Sequence, residues 1–179
     1  MDILSFLSHE FLHEIGIWQY GVIPTSQIPF EPSVRQLCEQ NSCRCYGTTW
    51  ACPPAVPSVD HCQAQCFSYD KVLVFSAKYP LEDSFDFEGM HAGMLSFKET
   101  CDWLDEAVRS HLTRFLLLSN ESCFRCSKCT YPDAPCRFPA LLHPAIEGYG
   151  IFVQELAHRA KINDINGANT VSFFGALLF

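Results

Sequence analysis

Positive charge is scarce in this chain. Twelve Lys and Arg stand against twenty Asp and Glu, giving a formal net charge of -8. A nucleic-acid binder presents a basic face or stripe, and the sequence holds no run of Lys and Arg to build one. Long apolar runs are also missing, so no segment reads as a membrane span. The first residues, Met1-Asp-Ile-Leu-Ser-Phe-Leu7, carry an acid and no basic n-region, which argues against a secretory signal. Internal repeats, low-complexity tracts and a convincing domain boundary are absent too. What is left is a chain of 179 residues that is 48% hydrophobic. That is enough apolar material for one compact domain over residues 1–179.

Cysteine is what the chain has in excess. Eleven of them form an odd set with no export signal. Reduced thiols in a cytoplasm fit this better than a disulfide framework. So many ligating cysteines also suit a cell living with little oxygen. The densest stretch is Cys123-Phe-Arg-Cys126-Ser-Lys-Cys129-Thr-Tyr-Pro-Asp-Ala-Pro-Cys136, a C-x2-C-x2-C-x6-C pattern. Two-residue gaps let successive thiolates turn toward one centre, and the longer gap returns a fourth from the far side. Iron–sulfur clusters take one cysteine per iron. Zinc takes thiolates as well, usually as two well-separated C-x2-C pairs. The spacing therefore favours a [4Fe–4S] cluster on Cys123, Cys126, Cys129 and Cys136, with zinc as the alternative.

A second, looser group is Cys38-x4-Cys43-x8-Cys52-Pro53-Pro54, with Cys45 inside it. Three thiolates can hold a cluster and leave one iron open, or Cys45 can complete four. Buried thiols acting as small hydrophobes are the other reading. Prolines 53 and 54 stiffen the backbone after Cys52 and stop regular structure there.

Periodicity predicts helices over 3–15, from Ser33 to about Asn41, over 59–68 capped by Ser58, over 90–112 and over 146–161. Strands are expected at 17–23, 71–77, 115–118 and 170–179. Strands and helices alternate. The expected fold class is α/β: one layered domain with a small mixed sheet, flanking helices and cysteine-rich metal-binding loops.

Several pieces taken together resemble a known family. They are Cys38-Glu-Gln-Asn41-Ser-Cys43, Tyr46-Gly47, Trp50-Ala-Cys52-Pro53-Pro54, the Cys123/Cys126/Cys129 run, Pro135-Cys136-Arg137-x-Pro139 and Glu147-x-x-Gly150-Ile151. The family is that of predicted metal-binding proteins of unknown function, domain of unknown function 2284, and the resemblance runs from about Arg35 to Phe179. It occurs mainly in anaerobic bacteria and archaea and is presumed to bind iron–sulfur clusters. The resemblance implies that Cys38, Cys43 and Cys52 are ligands beside the Cys123–Cys136 set, and that Cys45 lies where the family does not demand cysteine. Two departures stand out. Ser119-Asn-Glu-Ser122 replaces glycines usual before Cys123, and Phe152 replaces an acid often found after the Gly-Ile pair.

Other side chains have both a site reading and a plain one. Arg137 can offset cluster charge or grip an anion, or it can pair with Glu147. Glu147 can act in chemistry or simply favour the start of a helix. Tyr46 and Trp50 can line a pocket or cover a cluster. His143 can ligate or shuttle protons. Cys62, Cys66 and Cys101 fall on apolar faces and read as packing. His9-Glu10-Phe11-Leu12-His13 matches the zinc-protease signature H-E-x-x-H, but it has no evident third ligand and reads as chance.

The functional expectation is a cytoplasmic protein holding one or two [4Fe–4S] clusters. It would act as a small redox enzyme or as an electron-transfer component. A redox partner protein or a small-molecule substrate would be its counterpart, with neither nucleic acid nor membrane involved. A zinc-stapled interaction module is the alternative.

Overall fold

A computed structural model describes residues 3–179. Met1 and Asp2, on which part of the N-terminal signal reading rests, lie outside the described residues. The elements in chain order are α1 (Ile3–Phe6), α2 (His9–Glu14), β1 (Gln19–Pro24), α3 (Pro32–Glu39), α4 (Val59–Phe67), β2 (Lys71–Pro80), α5 (Phe87–Arg109), β3 (Leu116–Leu118), α6 (Val153–Arg159) and β4 (Thr170–Leu178), with single 3-10 turns at Thr25–Gln27, Pro139–Leu141 and Glu147–Tyr149.

The α/β class holds, and the sheet is antiparallel throughout, in the order β1-β2-β4-β3. A mixed sheet was expected from the strand–helix alternation. The alternation is real: β2, α5 and β3 form a crossover whose two strands run the same way. The last strand, β4, then inserts between them, so no parallel neighbours ever pair.

Both faces of the sheet are covered. In β2, Val72 and Val74 point into a core with Cys62 and Cys66 of α4, Leu156 and Ala157 of α6, and Ala160 just after it. Leu73, Phe75 and Ala77 point the other way, into a core with Phe97, Cys101, Leu104 and Val108 of α5 and Leu12 of α2. Two buried faces explain why β2 reads as a continuous apolar run rather than an alternation. They also settle the plain reading of Cys62, Cys66 and Cys101, each fully buried in a core.

Element ends differ from expectation for identifiable reasons. The expected 3–15 helix is split because the Ser8 hydroxyl accepts from the Phe11 amide at 3.2 Å and starts a new helix, α2. Ser58 caps α4 as expected. Helix α3 starts one residue earlier than expected, with Pro32 in its first turn and Glu31 as the preceding residue; proline suits that position. Helix α5 begins at Phe87, where the Asp86 carboxylate accepts from the Gly89 amide at 2.8 Å. The 146–161 helix is broken at Gly150, whose φ of +76° is left-handed. A Cβ there would also lie 2.9 Å from Val59, so glycine is required twice over.

Candidate metal centre

Beyond the end of β3 the backbone builds a small platform for the cysteines. Ser119 bridges Ala145 in parallel. The Ser119 amide donates to Pro144, the Ile146 amide donates back to Ser119, and the Ala145 amide donates to Ala51, at 3.0, 2.8 and 2.8 Å. Three segments thus lie side by side. One leads into Cys52, one into Cys123, and the middle one carries the Glu147 turn.

The second cysteine group forms because its loop turns sharply and often. Asn41, Arg44 and Gly47 all have positive φ, at 55°, 60° and 69°. The Asn41 side chain accepts from the Tyr46 amide at 3.0 Å, and the Gly47 amide closes the loop onto Pro53 at 2.8 Å. A left-handed arginine is a strained residue. The product is a knot of thiols. Cys43 and Cys52 act electrostatically on both Cys38 and Cys45. Arg35 ties down the helix that carries Cys38: its guanidinium donates to Pro57, Gly148 and Val56 carbonyls at 2.8, 2.5 and 2.8 Å.

In the first group, Cys123, Cys126, Cys129 and Cys136 line one recess with Trp50, Arg125, Arg137, Phe138, Leu141 and Leu142. All four thiols are half-buried. The Phe138 amide donates to the Cys136 sulfur at 3.4 Å, the kind of contact that tunes a metal-bound thiolate. Free space in the recess is about 20 Å³, close to one water. Among the described residues, no three His, Cys, Asp or Glu side chains are grouped so as to hold a single metal ion.

The two groups meet at residues 119–123. The buried Ser122 hydroxyl pairs with the Thr49 hydroxyl of the second loop at 2.8 Å, and its presence works against the upward push of burial on the Cys45 and Cys52 thiols. The very next residue, Cys123, belongs to the other recess. Trp50 crosses in the opposite sense, from the loop of the second group into the wall of the first.

Burial decides the acid–base state around the second group. It pushes the Cys38 and Cys45 thiols up to about 11, helped at Cys38 by Glu147 and at Cys45 by Cys43. Cys52 moves in the same direction, again mainly by burial. Such thiols stay protonated until a cation displaces the proton. Glu147 is pushed up by burial and held back by Lys98 and by the Glu121 amide, which donates to it at 3.2 Å. Lys98 is pushed down by its own burial. Its ammonium donates to the Ser119 hydroxyl at 3.0 Å and to the Asn120 carbonyl.

Arg137 does not pair with Glu147; it donates to the Lys128 carbonyl at 2.9 Å, on the rim of the first recess. Tyr46 is half-buried in the second loop. His143 is buried against α5, 3.8 Å from Asp102 and 3.9 Å from Asp105. It lines a cleft of about 350 Å³ with Leu95, Lys98, Cys123, Phe124 and Arg125, a size that suits a small molecule. His9 and His13 meet edge-on at a centroid distance of 4.2 Å on an exposed face of α2, with His9 bonded to the Tyr20 hydroxyl at 3.2 Å.

Arg35, Lys98 and Ser122 were not read as site residues from sequence. Only Ser122 left a signal there, as the serine standing where the family has glycine.

Residues 21–179 match the family model described as a predicted metal-binding protein, DUF2284. The match spans most of the chain, so the protein belongs to that family. It begins ahead of Arg35 and leaves His9 and His13 outside. No curated protein and no solved structure matches the chain. Among the described residues, no helix is long and apolar enough to cross a membrane.

Proposed function

We propose that this member of a predicted metal-binding family is a cytoplasmic iron–sulfur protein that moves electrons between two neighbouring centres. Cys123, Cys126, Cys129 and Cys136 would hold one [4Fe–4S] cluster. Cys38, Cys43 and Cys52 would supply the second centre. The observation that carries this reading is the shared 119–123 segment, where Ser122 bonds Thr49 of the second cysteine loop and the very next residue, Cys123, lines the recess of the first group.

Two features support clusters over zinc. The spacing places three cysteines at successive two-residue gaps, and the four thiols of that run line one recess. The apolar wall of Trp50, Phe138, Leu141 and Leu142 is the kind of shell that sets a cluster's potential. A bound cluster supplies one-electron chemistry. The chain supplies the wall, the Phe138 amide on Cys136, and the cationic rim of Arg125 and Arg137. The cleft beside Cys123 gives a small-molecule electron donor or acceptor a place to sit, with Lys98 and His143 in its lining.

The test is purification without oxygen, with iron, sulfide and zinc quantified and spin-resonance spectra taken after reduction. About eight irons and eight sulfides per chain are expected for two four-iron clusters. Zinc without sulfide would leave a structural metal module and end the redox reading.

A further inference from the structure

Cys45 stands outside the three cysteines that the family pattern assigns to the second centre. The fold nonetheless delivers it to the same place. Asn41 and Arg44, both left-handed, reverse the chain on either side of Cys43. The Cys45 thiol then folds back over Cys43, donating to its carbonyl at 3.3 Å. Cys43 and Cys52 both act on it electrostatically, and the buried Ser122 reaches this same loop through Thr49 at 2.8 Å. The left-handed turn at Arg44 lies between Cys43 and Cys45, and the Cys43 thiol acts on the Cys45 thiol.

We propose that Cys45 is the fourth thiolate of the second centre, so that protein ligands saturate it and no iron is left open. This rests on the iron–sulfur reading above. The rival fourth donor is Glu147, which acts electrostatically on Cys38 and Cys52. Its carboxylate is already engaged by the Glu121 amide and faces Lys98. With Cys45 in place the second centre stores or relays electrons, and chemistry on a small molecule moves to the cleft beside Cys123.

Cyanide, which binds an open cluster iron and not a thiolate-saturated one, is the probe. Wild type, Cys45→Ser and Glu147→Gln are purified without oxygen, assayed for iron and sulfide, and examined by spin resonance with and without cyanide. Wild type is expected to hold about eight irons and to give spectra that cyanide leaves unchanged. Cys45→Ser is expected either to become cyanide-sensitive or to fall to about four irons while the first-centre signal persists. Glu147→Gln should match wild type. A cyanide-sensitive wild type overturns the inference without any variant. So does a Cys45→Ser protein with wild-type iron and spectra, or a Glu147→Gln protein that shows the loss instead. Each of those results leaves the iron–sulfur reading standing, whereas a wild type free of iron and sulfide removes both.

Discussion

The Trp50 indole N–H donates to the Ala134 carbonyl at 3.1 Å, and its ring meets Tyr131 edge-on at a centroid distance of 4.9 Å. Trp50 comes from the loop of one cysteine group and Ala134 from the loop of the other. One side chain therefore closes a wall of the first recess and fastens the two loops together. Trp50→Ala is expected to expose the first centre and speed its bleaching in air several-fold. Trp50→Phe keeps apolar cover but loses the hydrogen bond, so it should fall between the two. Loss of visible absorbance with time, at fixed oxygen, measures this. Equal rates for all three proteins would show that the indole shields nothing.

Cys126 and Cys101 separate ligands from packing. Cys126→Ala should remove about half of the bound iron and leave the signals of the second centre. Cys101 is fully buried among Phe97, Leu104 and Val108, and its replacement by alanine should cost about 1 kcal/mol and no iron. Metal analysis beside urea denaturation distinguishes them. Iron lost from the Cys101 variant would mean that the α5 core reaches the metal.

Arg35 tests how the second group is held. Its three carbonyl partners lie on the segment before α4 and on the Glu147–Tyr149 turn. Arg35→Met keeps the stem and strands those carbonyls, at an expected cost of about 1.5–3 kcal/mol. Because α3 carries Cys38, the second centre should lose iron before the first does. The measurement is iron retained against urea concentration, followed by the separate spin-resonance signals.

Most of the scaffold was legible in the sequence, and the meeting of the two cysteine groups was not. Strand β2 and helix α5 announce themselves because their apolar periods are long and both pack on the sheet. Spacing alone also grouped Cys123, Cys126, Cys129 and Cys136, which do line one recess, since side chains close in sequence need only local turns to meet. The platform of Ser119, Ala145 and Ala51 left no trace, because main-chain hydrogen bonds between distant segments do not depend on side-chain type. The 146–161 stretch misled for a related reason. Its apolar residues keep a helical period, but Gly150 turns left-handed so that the chain can pass close to Val59. Arg35 and Lys98 act through backbone carbonyls, which no residue pattern marks.

The buried thiols predict a loss of stability in alkali. Burial pushes Cys62 up to about 11, and Cys66 and Cys101 up to about 12, from a starting value of 9.0. Above pH 9 the unfolded chain releases these protons while the folded one holds them, so the folded state binds more protons and loses stability as pH rises. Their contribution is complete below 9 and fades as pH climbs toward 11 and 12. Urea midpoints are therefore expected to fall from pH 9 upward. The gap between wild type and Cys101→Ala should narrow over the same range. A gap that stays constant with pH would show that the Cys101 thiol titrates alike in both states.

Strand β4 comes last among the elements and yet lies between β2 and β3. Every cysteine in the chain precedes it. During synthesis all the thiols therefore emerge before the strand that completes the sheet behind them. Until β4 slides into that gap, β2 and β3 each offer an unpaired edge, and the platform built off the end of β3 has no finished sheet to rest on. The interval between making the last thiol and making the last strand is thus when the cysteine loops are least supported and their thiols most open to oxidation.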